Sequence, residues 1–253
     1  DWAGLGWLFL FFWYFSGVTH LLIQLTGTTG FEGFRQAFLM SGIWLIPVLL
    51  FPSKARLITG VVGLLLWACS LIGLGYFCIY GQQFSQSVIF IMFESNMAES
   101  SEYFAQYFAW WMVPVYLLYT LGAWLLWKRV RPLRFSRGQA SVLALILFAS
   151  LLAYPLTTQI LKRPTLAMAL EKFEAKVEPA VPWQLVVGYR KYLEQLGDMQ
   201  QLLADNAKIA PLQQLQDAQA GLPSTLVLVI GESTNRQRMS LYGYPRETTP
   251  RLD

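Results

Sequence analysis

Leu57–Tyr80 contains no charged side chain at all. A helix that crosses the hydrocarbon of a bilayer needs about 17–25 mostly apolar residues. It must also satisfy every backbone polar group within itself. Four further stretches share this character: about Leu5–Leu25, Phe34–Phe51, Phe108–Trp127 and Gln139–Leu161. The sequence therefore predicts an α fold, a five-helix transmembrane bundle over residues 1–161. Pro47 and Pro114 fall inside expected spans, and Pro155 breaks the last one near its end. Neighbouring helices can re-satisfy the carbonyls such prolines free. The first stretch is too long and too aromatic for a signal-peptide core, and no small-residue cleavage site follows it.

Charge sets the expected orientation. Lys54 and Arg56 separate the second and third stretches, and Lys128, Arg129, Arg131, Arg134 and Arg137 separate the fourth and fifth. The segment Gly81–Tyr107 holds Glu94, Glu99 and Glu102 and no Lys or Arg. The positive-inside rule puts the basic loops and the N-terminus in the cytoplasm. The acidic loop, and everything after Leu161, then lies outside. Arg35 sits at the outer end of the second stretch, where a long side chain can snorkel. Trp110 and Trp111 at one end of the fourth stretch, and Trp124 and Trp127 at the other, fit interfacial belts.

The net charge of +4 does not argue for nucleic acid. Its densest cluster, Lys128–Arg137, is a short loop between spans and reads as a topology signal. Span interiors nearly free of charge argue against a transporter, whose sites place ionisable groups mid-membrane. Cys69 and Cys78 are half a turn out of phase on one helix and point to opposite faces, so they cannot pair. The single histidine, His20, near the outer end of the first span, reads as a packed, satisfied side chain.

After Leu161 the composition becomes that of a soluble protein. Leu166, Leu170, Phe173 and Val177 recur every three or four residues and predict an amphipathic helix on the outer membrane face. Pro182 opens a second helix with a stripe of Leu185, Tyr189, Tyr192, Leu196, Met199 and Leu203. Residues 162–221 thus form a helical bridge outside the membrane. Gly221-Leu222-Pro223 marks a boundary. Thr225–Ile230 is then a continuous apolar run, expected as a strand covered on both faces. It leads into Gly231-Glu232-Ser233-Thr234. A carboxylate just past a buried strand end is well placed to bind a cation.

The segment Leu226–Thr234, followed by Met239-Ser-Leu-Tyr-Gly-Tyr-Pro-Arg-Glu-Thr-Thr-Pro250, resembles the opening of the catalytic domain of bacterial phosphoethanolamine transferases. These belong to the alkaline phosphatase/sulfatase superfamily. The order of spans, bridge and outward strand is similar as well, and the Glu-Ser-Thr variant looks most like members that modify the lipopolysaccharide core. The resemblance implies that residues 222–253 begin a sulfatase-like α/β domain whose remainder lies past Asp253. It implies that Glu232 is one ligand of a catalytic zinc. The threonine nucleophile is then expected past Asp253, and Thr234 is structural. This piece alone is expected to be inactive.

The resemblance also reaches the acidic loop. There the family carries an Asn, a Thr and a Glu four residues apart that help form a lipid-headgroup pocket. Ser95 falls at the Thr position and keeps its hydroxyl; Glu99 falls at the Glu position, where it could pair with an ethanolamine ammonium. Ile91 replaces the Asn found in lipid A-modifying members. The implied donor is phosphatidylethanolamine, the implied acceptor lipopolysaccharide, and the implied location a bacterial inner membrane. Less negative lipopolysaccharide binds cationic peptides more weakly, so polymyxin resistance is an expected consequence. Competing readings are a related transferase acting on lipid A, periplasmic glucan or a glycerol-phosphate polymer, and a non-catalytic membrane scaffold.

Overall fold

The computed structural model describes residues 2–26, 33–208 and 238–249. The described chain is helical, without strands: α1 Trp2–Thr26, α2 Phe34–Ser41, α3 Leu45–Leu50, α4 Ala55–Tyr80, α5 Gln86–Glu94, α6 Met97–Tyr107, α7 Met112–Lys128, α8 Arg137–Phe148, α9 Tyr154–Lys162, α10 Leu166–Val177 and α11 Trp183–Asn206. The expected strand at 225–230, with Glu232 and Thr234, lies outside the described residues. The chain divides into two compact units, Asp1–Ala204 and Asp205–Asp253.

Among the described residues, three stretches are long and apolar enough to cross a membrane: Trp2–Thr26, Pro52–Tyr80 and Arg137–Lys162. A fourth arises if Met97–Tyr107 and Met112–Lys128, bent by 95° at their junction, are one broken span. Phe34–Leu50 is apolar but shorter. The structure thus departs from the five expected spans in two places. Helical geometry at the fourth begins at Met112, not Phe108, so Pro114 stands in the first turn of α7. There its missing N–H is one that no intrahelical carbonyl needed. In the second, the 3-10 turn Gly42–Trp44 separates α2 from α3, which holds Pro47.

The last stretch keeps its course through Pro155 by widening. Proline has no N–H to return to the carbonyl four residues back and crowds it. The turn Ala149–Ala153 is a π-helix, and the Tyr154 N–H reaches five residues back to the Ala149 carbonyl. A π turn just ahead of a proline relieves that clash.

The core of the first unit is built around α1, with Leu8, Phe11, Phe12 and Phe15 buried against Leu45, Val48, Leu66, Leu74 and Tyr119. Several hydroxyls inside it are paired across helices. The Tyr14 hydroxyl donates to the Tyr119 carbonyl at 2.8 Å. The Tyr119 hydroxyl donates to Ser70 Oγ at 2.7 Å, and Ser70 Oγ donates to the Trp67 carbonyl at 2.8 Å. Hydroxyls bonded across helices in this way hold apolar bundles together where lipid removes the hydrophobic drive for association. Outward faces are apolar instead: Leu57, Val61 and Leu64 on α4, Leu117, Leu118 and Leu125 on α7, Val142, Leu145 and Ile146 on α8 are all exposed. Contiguous apolar surface of this kind belongs against lipid. At one end, Arg56 lies over Trp127, Lys128 over Trp124 and Arg129 over Trp7. The basic ends of α4 and α7 therefore coincide with an indole belt.

The bridging helices pack onto the bundle rather than lying apart from it. Met40, Val177 and Ala180 are buried together, with Phe173 and Trp183 against them. Trp183 stacks on Trp44 with centroids 6.1 Å apart and planes 12° apart. Gly188 lets α11 approach α5: a Cβ there would stand 2.0 Å from Ile89 Cδ1. Phe93 of α5 then stacks on Tyr192, with centroids 5.5 Å apart. Glu174 of α10 and Arg190 of α11 form a two-bonded ion pair, and Lys191 meets Glu178 at 3.6 Å. The Glu174 carboxylate holds the Arg190 pKa above its ordinary value.

Candidate functional site

Helix α5 ends at Glu94, and the extended pair Ser95-Asn96 turns the chain into α6. Asn96 caps α6 by accepting the Glu99 N–H on Oδ1 at 2.9 Å. Glu99 answers by accepting the Asn96 backbone N–H at 3.4 Å and its side-chain amide at 2.8 Å. This reciprocal capping box satisfies otherwise orphaned donors. It also fixes an anionic carboxylate at the positive end of a helix dipole. One turn earlier, Ser95 Oγ donates to the Ile91 carbonyl at 2.7 Å.

Ile91, Ser95 and Glu99 line one open cleft of about 650 Å³, together with residues of α4, α6 and α7. The structure thus brings together the two side chains that the sequence singled out. It adds a wall the sequence reading missed: Tyr76, Tyr80, Tyr103 and Tyr116 line the same cleft. Ring centroids lie 4.7 Å apart for Tyr76–Tyr80 and for Tyr103–Tyr107, and 5.9 Å apart for Tyr80–Tyr107. Both closer pairs are spaced i,i+4, which places them on one helix face and was a readable signal. The remaining lining includes Leu71, Ile72, Ile79, Val88 and Met92, and no Lys or Arg. A carboxylate beside tyrosine faces favours a cation, while the apolar wall favours hydrocarbon. An amine-headed amphiphile matches both.

His20 is elsewhere and has a different job. Its Nε2 donates to the Pro179 carbonyl at 3.0 Å; because a carbonyl only accepts, this fixes the proton on Nε2. The Val181 N–H donates to Ser16 Oγ at 3.0 Å, and the Gln184 amide donates to the Phe84 carbonyl. These bonds surround a pocket of about 30 Å³, room for roughly one water. His20 is packed and satisfied, as the sequence suggested, and belongs to the joint between α1 and the bridge. Cys69 and Cys78 are free thiols.

No group of three or more His, Cys, Asp or Glu among the described residues is arranged to hold a metal. Glu232 lies outside them. In the second unit, Ser240 organises the Ser-Leu-Tyr-Gly-Tyr motif. Its Oγ accepts the N–H groups of Thr248 and Thr249 at 3.2 and 2.9 Å. Its own N–H donates to Thr248 Oγ1 at 3.1 Å. Gly243, at φ +89°, closes the 3-10 turn Ser240–Tyr242 in a conformation that side chains with a Cβ avoid.

A helical bundle with apolar outer faces, a docked bridge and a tyrosine-walled cleft has the character of a helical membrane protein. Comparison with known sequences gives the relationship. The whole chain is 47% identical to the phosphoethanolamine transferase CptA of Salmonella typhimurium. It is 46% identical to the phosphoethanolamine transferase EptC of Escherichia coli, again over its full length. It spans 44% of each of these relatives, their N-terminal part. Along its whole length the chain is thus a relative of the phosphoethanolamine transferases. No protein-family model and no solved structure matches it.

Proposed function

We propose that the full-length protein is a phosphoethanolamine transferase that takes its group from phosphatidylethanolamine and passes it to the core of lipopolysaccharide. The observation that carries this reading is the 46–47% identity to transferases across every part of the chain. In the proposal Glu99 pairs with the donor's ammonium, Ser95 offers its hydroxyl to the headgroup, and the apolar wall receives acyl chain. Transfer proceeds in two halves. A threonine oxygen from the portion of the relatives that this chain does not cover bonds to phosphorus. The bond from phosphorus to the glycerol oxygen breaks, and diacylglycerol leaves carrying the proton. The acceptor oxygen then displaces threonine. Glu232 is proposed as one zinc ligand, with the others supplied by that same uncovered portion; bound zinc supplies a Lewis acid for the phosphoryl oxygens.

The same reading places the protein in a bacterial inner membrane with a cytoplasmic N-terminus, a periplasmic bridge and five spans. Phe34–Leu50 and α7 then cross as short segments. A 17-residue helix such as α7 is about 25 Å long, at the lower limit for spanning. Addition of ethanolamine makes lipopolysaccharide less anionic, and weaker polymyxin binding follows.

The test is diacylglycerol release from a fluorescent phosphatidylethanolamine by the full-length protein, alongside Glu232→Ala and mass analysis of lipopolysaccharide from expressing cells. Release by the parent, its loss in Glu232→Ala, and a core mass gain of one phosphoethanolamine are expected. Folded, zinc-loaded parent that releases no diacylglycerol overturns the reading. A mass gain on lipid A alone overturns the choice of acceptor.

A further inference from the structure

A second lipid-facing feature lies outside the headgroup cleft. An open apolar groove of about 370 Å³ runs between α4 and α7 over a floor of α1 side chains. On α4 it is lined by Gly60, Gly63, Leu64 and Trp67, which recur at i, i+3, i+4 and i+7 and so share one face. On α7 it is lined by Thr120, Ala123, Trp124 and Trp127. One end is closed: Trp67 Nε1 donates to Thr120 Oγ1 at 3.1 Å across the groove.

The other end is basic. Arg56 stands one turn before Gly60 on α4, and Lys128 one turn after Trp124 on α7. Each cation therefore continues the stripe that lines the groove, and the antiparallel helices bring both to the same end. Each is also held by a groove-lining indole. The Arg56 guanidinium lies 5.5 Å from the Trp127 ring centre, and the Lys128 ammonium 3.5 Å from that of Trp124. No acidic residue lines the groove. From Gly60 to Trp67 the slot runs roughly 10 Å along the helix, enough for part of an acyl chain.

We propose that this groove binds an anionic glycerophospholipid, with one acyl chain in the slot and its phosphate on Arg56 and Lys128. A slot with hydrocarbon walls, a closed far end and two fixed cations at its mouth matches a lipid of net negative charge better than a zwitterionic one. Basic pockets between membrane helices are a known physical solution for such headgroups. This site is separate from the Glu99 cleft, whose lining holds no cation, and does not depend on the transferase reading.

The test is native mass spectrometry of the delipidated full-length protein, titrated with phosphatidylglycerol, cardiolipin and phosphatidylcholine of matched acyl chains. Two cations near a headgroup should favour the anionic lipids on the order of tenfold or more. The doubly neutral R56Q/K128Q should bring phosphatidylglycerol down to the phosphatidylcholine level, while Arg56→Lys should retain the preference. Gly60→Leu and Leu64→Trp fill the slot from two positions and leave both cations in place; each should weaken all lipid binding there. Leu64 is 65% exposed, so its replacement does not disturb the core. Tighter binding of cardiolipin than phosphatidylglycerol supports one phosphate on each cation, and equal binding supports one shared phosphate. Equal affinity for anionic and zwitterionic lipid, or a preference unchanged in folded R56Q/K128Q, overturns the proposal. Unchanged lipid binding in both slot-filling variants overturns it as well.

Discussion

His20 in the first helix donates to the carbonyl of Pro179, 159 residues later, across 3.0 Å. The bond pins the turn between α10 and α11 to the C-terminal half of α1, and Ser16, one turn earlier, pins Val181 in parallel. His20→Leu should leave a buried carbonyl without a donor. A loss of about 1–3 kcal/mol is expected, read as a lower melting temperature in detergent. A melting temperature equal to the parent's contradicts the locking role.

Glu99 caps α6 and, in the proposed transferase, also pairs with the donor ammonium; one substitution separates the two roles. Glutamine also completes a capping box, so Glu99→Gln should keep α6 and remove only the charge. Donor KM should rise on the order of tenfold, the loss of a charge-assisted bond, with melting unchanged. Asn96→Ala should do the reverse, costing about 1 kcal/mol of stability with a smaller effect on KM. If Glu99→Gln leaves KM unchanged, the carboxylate is only a cap.

Gly188 and Ile89 are predicted to be coupled. Gly188→Ala drives a methyl into Ile89 and should cost about 1–3 kcal/mol by overpacking. Ile89→Val removes the offending Cδ1 and alone should cost about 0.5–1.5 kcal/mol. The double variant should be more stable than the sum of the two losses predicts. Strict additivity in a double-mutant cycle rules out the contact.

The Tyr119–Ser70 bond is predicted to carry modest energy. Buried hydrogen bonds between membrane helices average about 0.6 kcal/mol and reach about 1.7 kcal/mol. A cycle of Tyr119→Phe and Ser70→Ala should give a coupling within that range. A value indistinguishable from zero would leave the cohesion of α4 and α7 to packing and to the Trp67–Thr120 and Tyr116–Leu71 bonds.

Much of this architecture is legible in the chain because membrane helices are written locally. The uncharged run Leu57–Tyr80 can hardly be anything else, and the basic and acidic loops separate by inspection. Ser95 and Glu99, four residues apart, stood out only through the family resemblance; the capping box that sets Glu99 is made with Asn96, while Ser95 donates to the Ile91 carbonyl. Long-range features were not readable in the same way. Hydropathy is continuous across Phe108–Trp111, so it cannot reveal that the helix stops there and turns by 95°. Gly188 looks like a weak point in a helix until Ile89, far away in sequence, is found against it. Pro179 carries no sequence mark of the histidine it meets.

The paired indoles of Trp44 and Trp183 lie nearly parallel, 6.1 Å apart, one in the bundle and one at the start of α11. Both ring N–H groups are buried without an acceptor. Two chromophores so close exchange excitation, and the exchange vanishes when they separate. The molecule therefore carries its own optical gauge of the joint. An exciton couplet in the strong far-ultraviolet indole band of the circular dichroism spectrum records whether the bridge is seated, with no label attached.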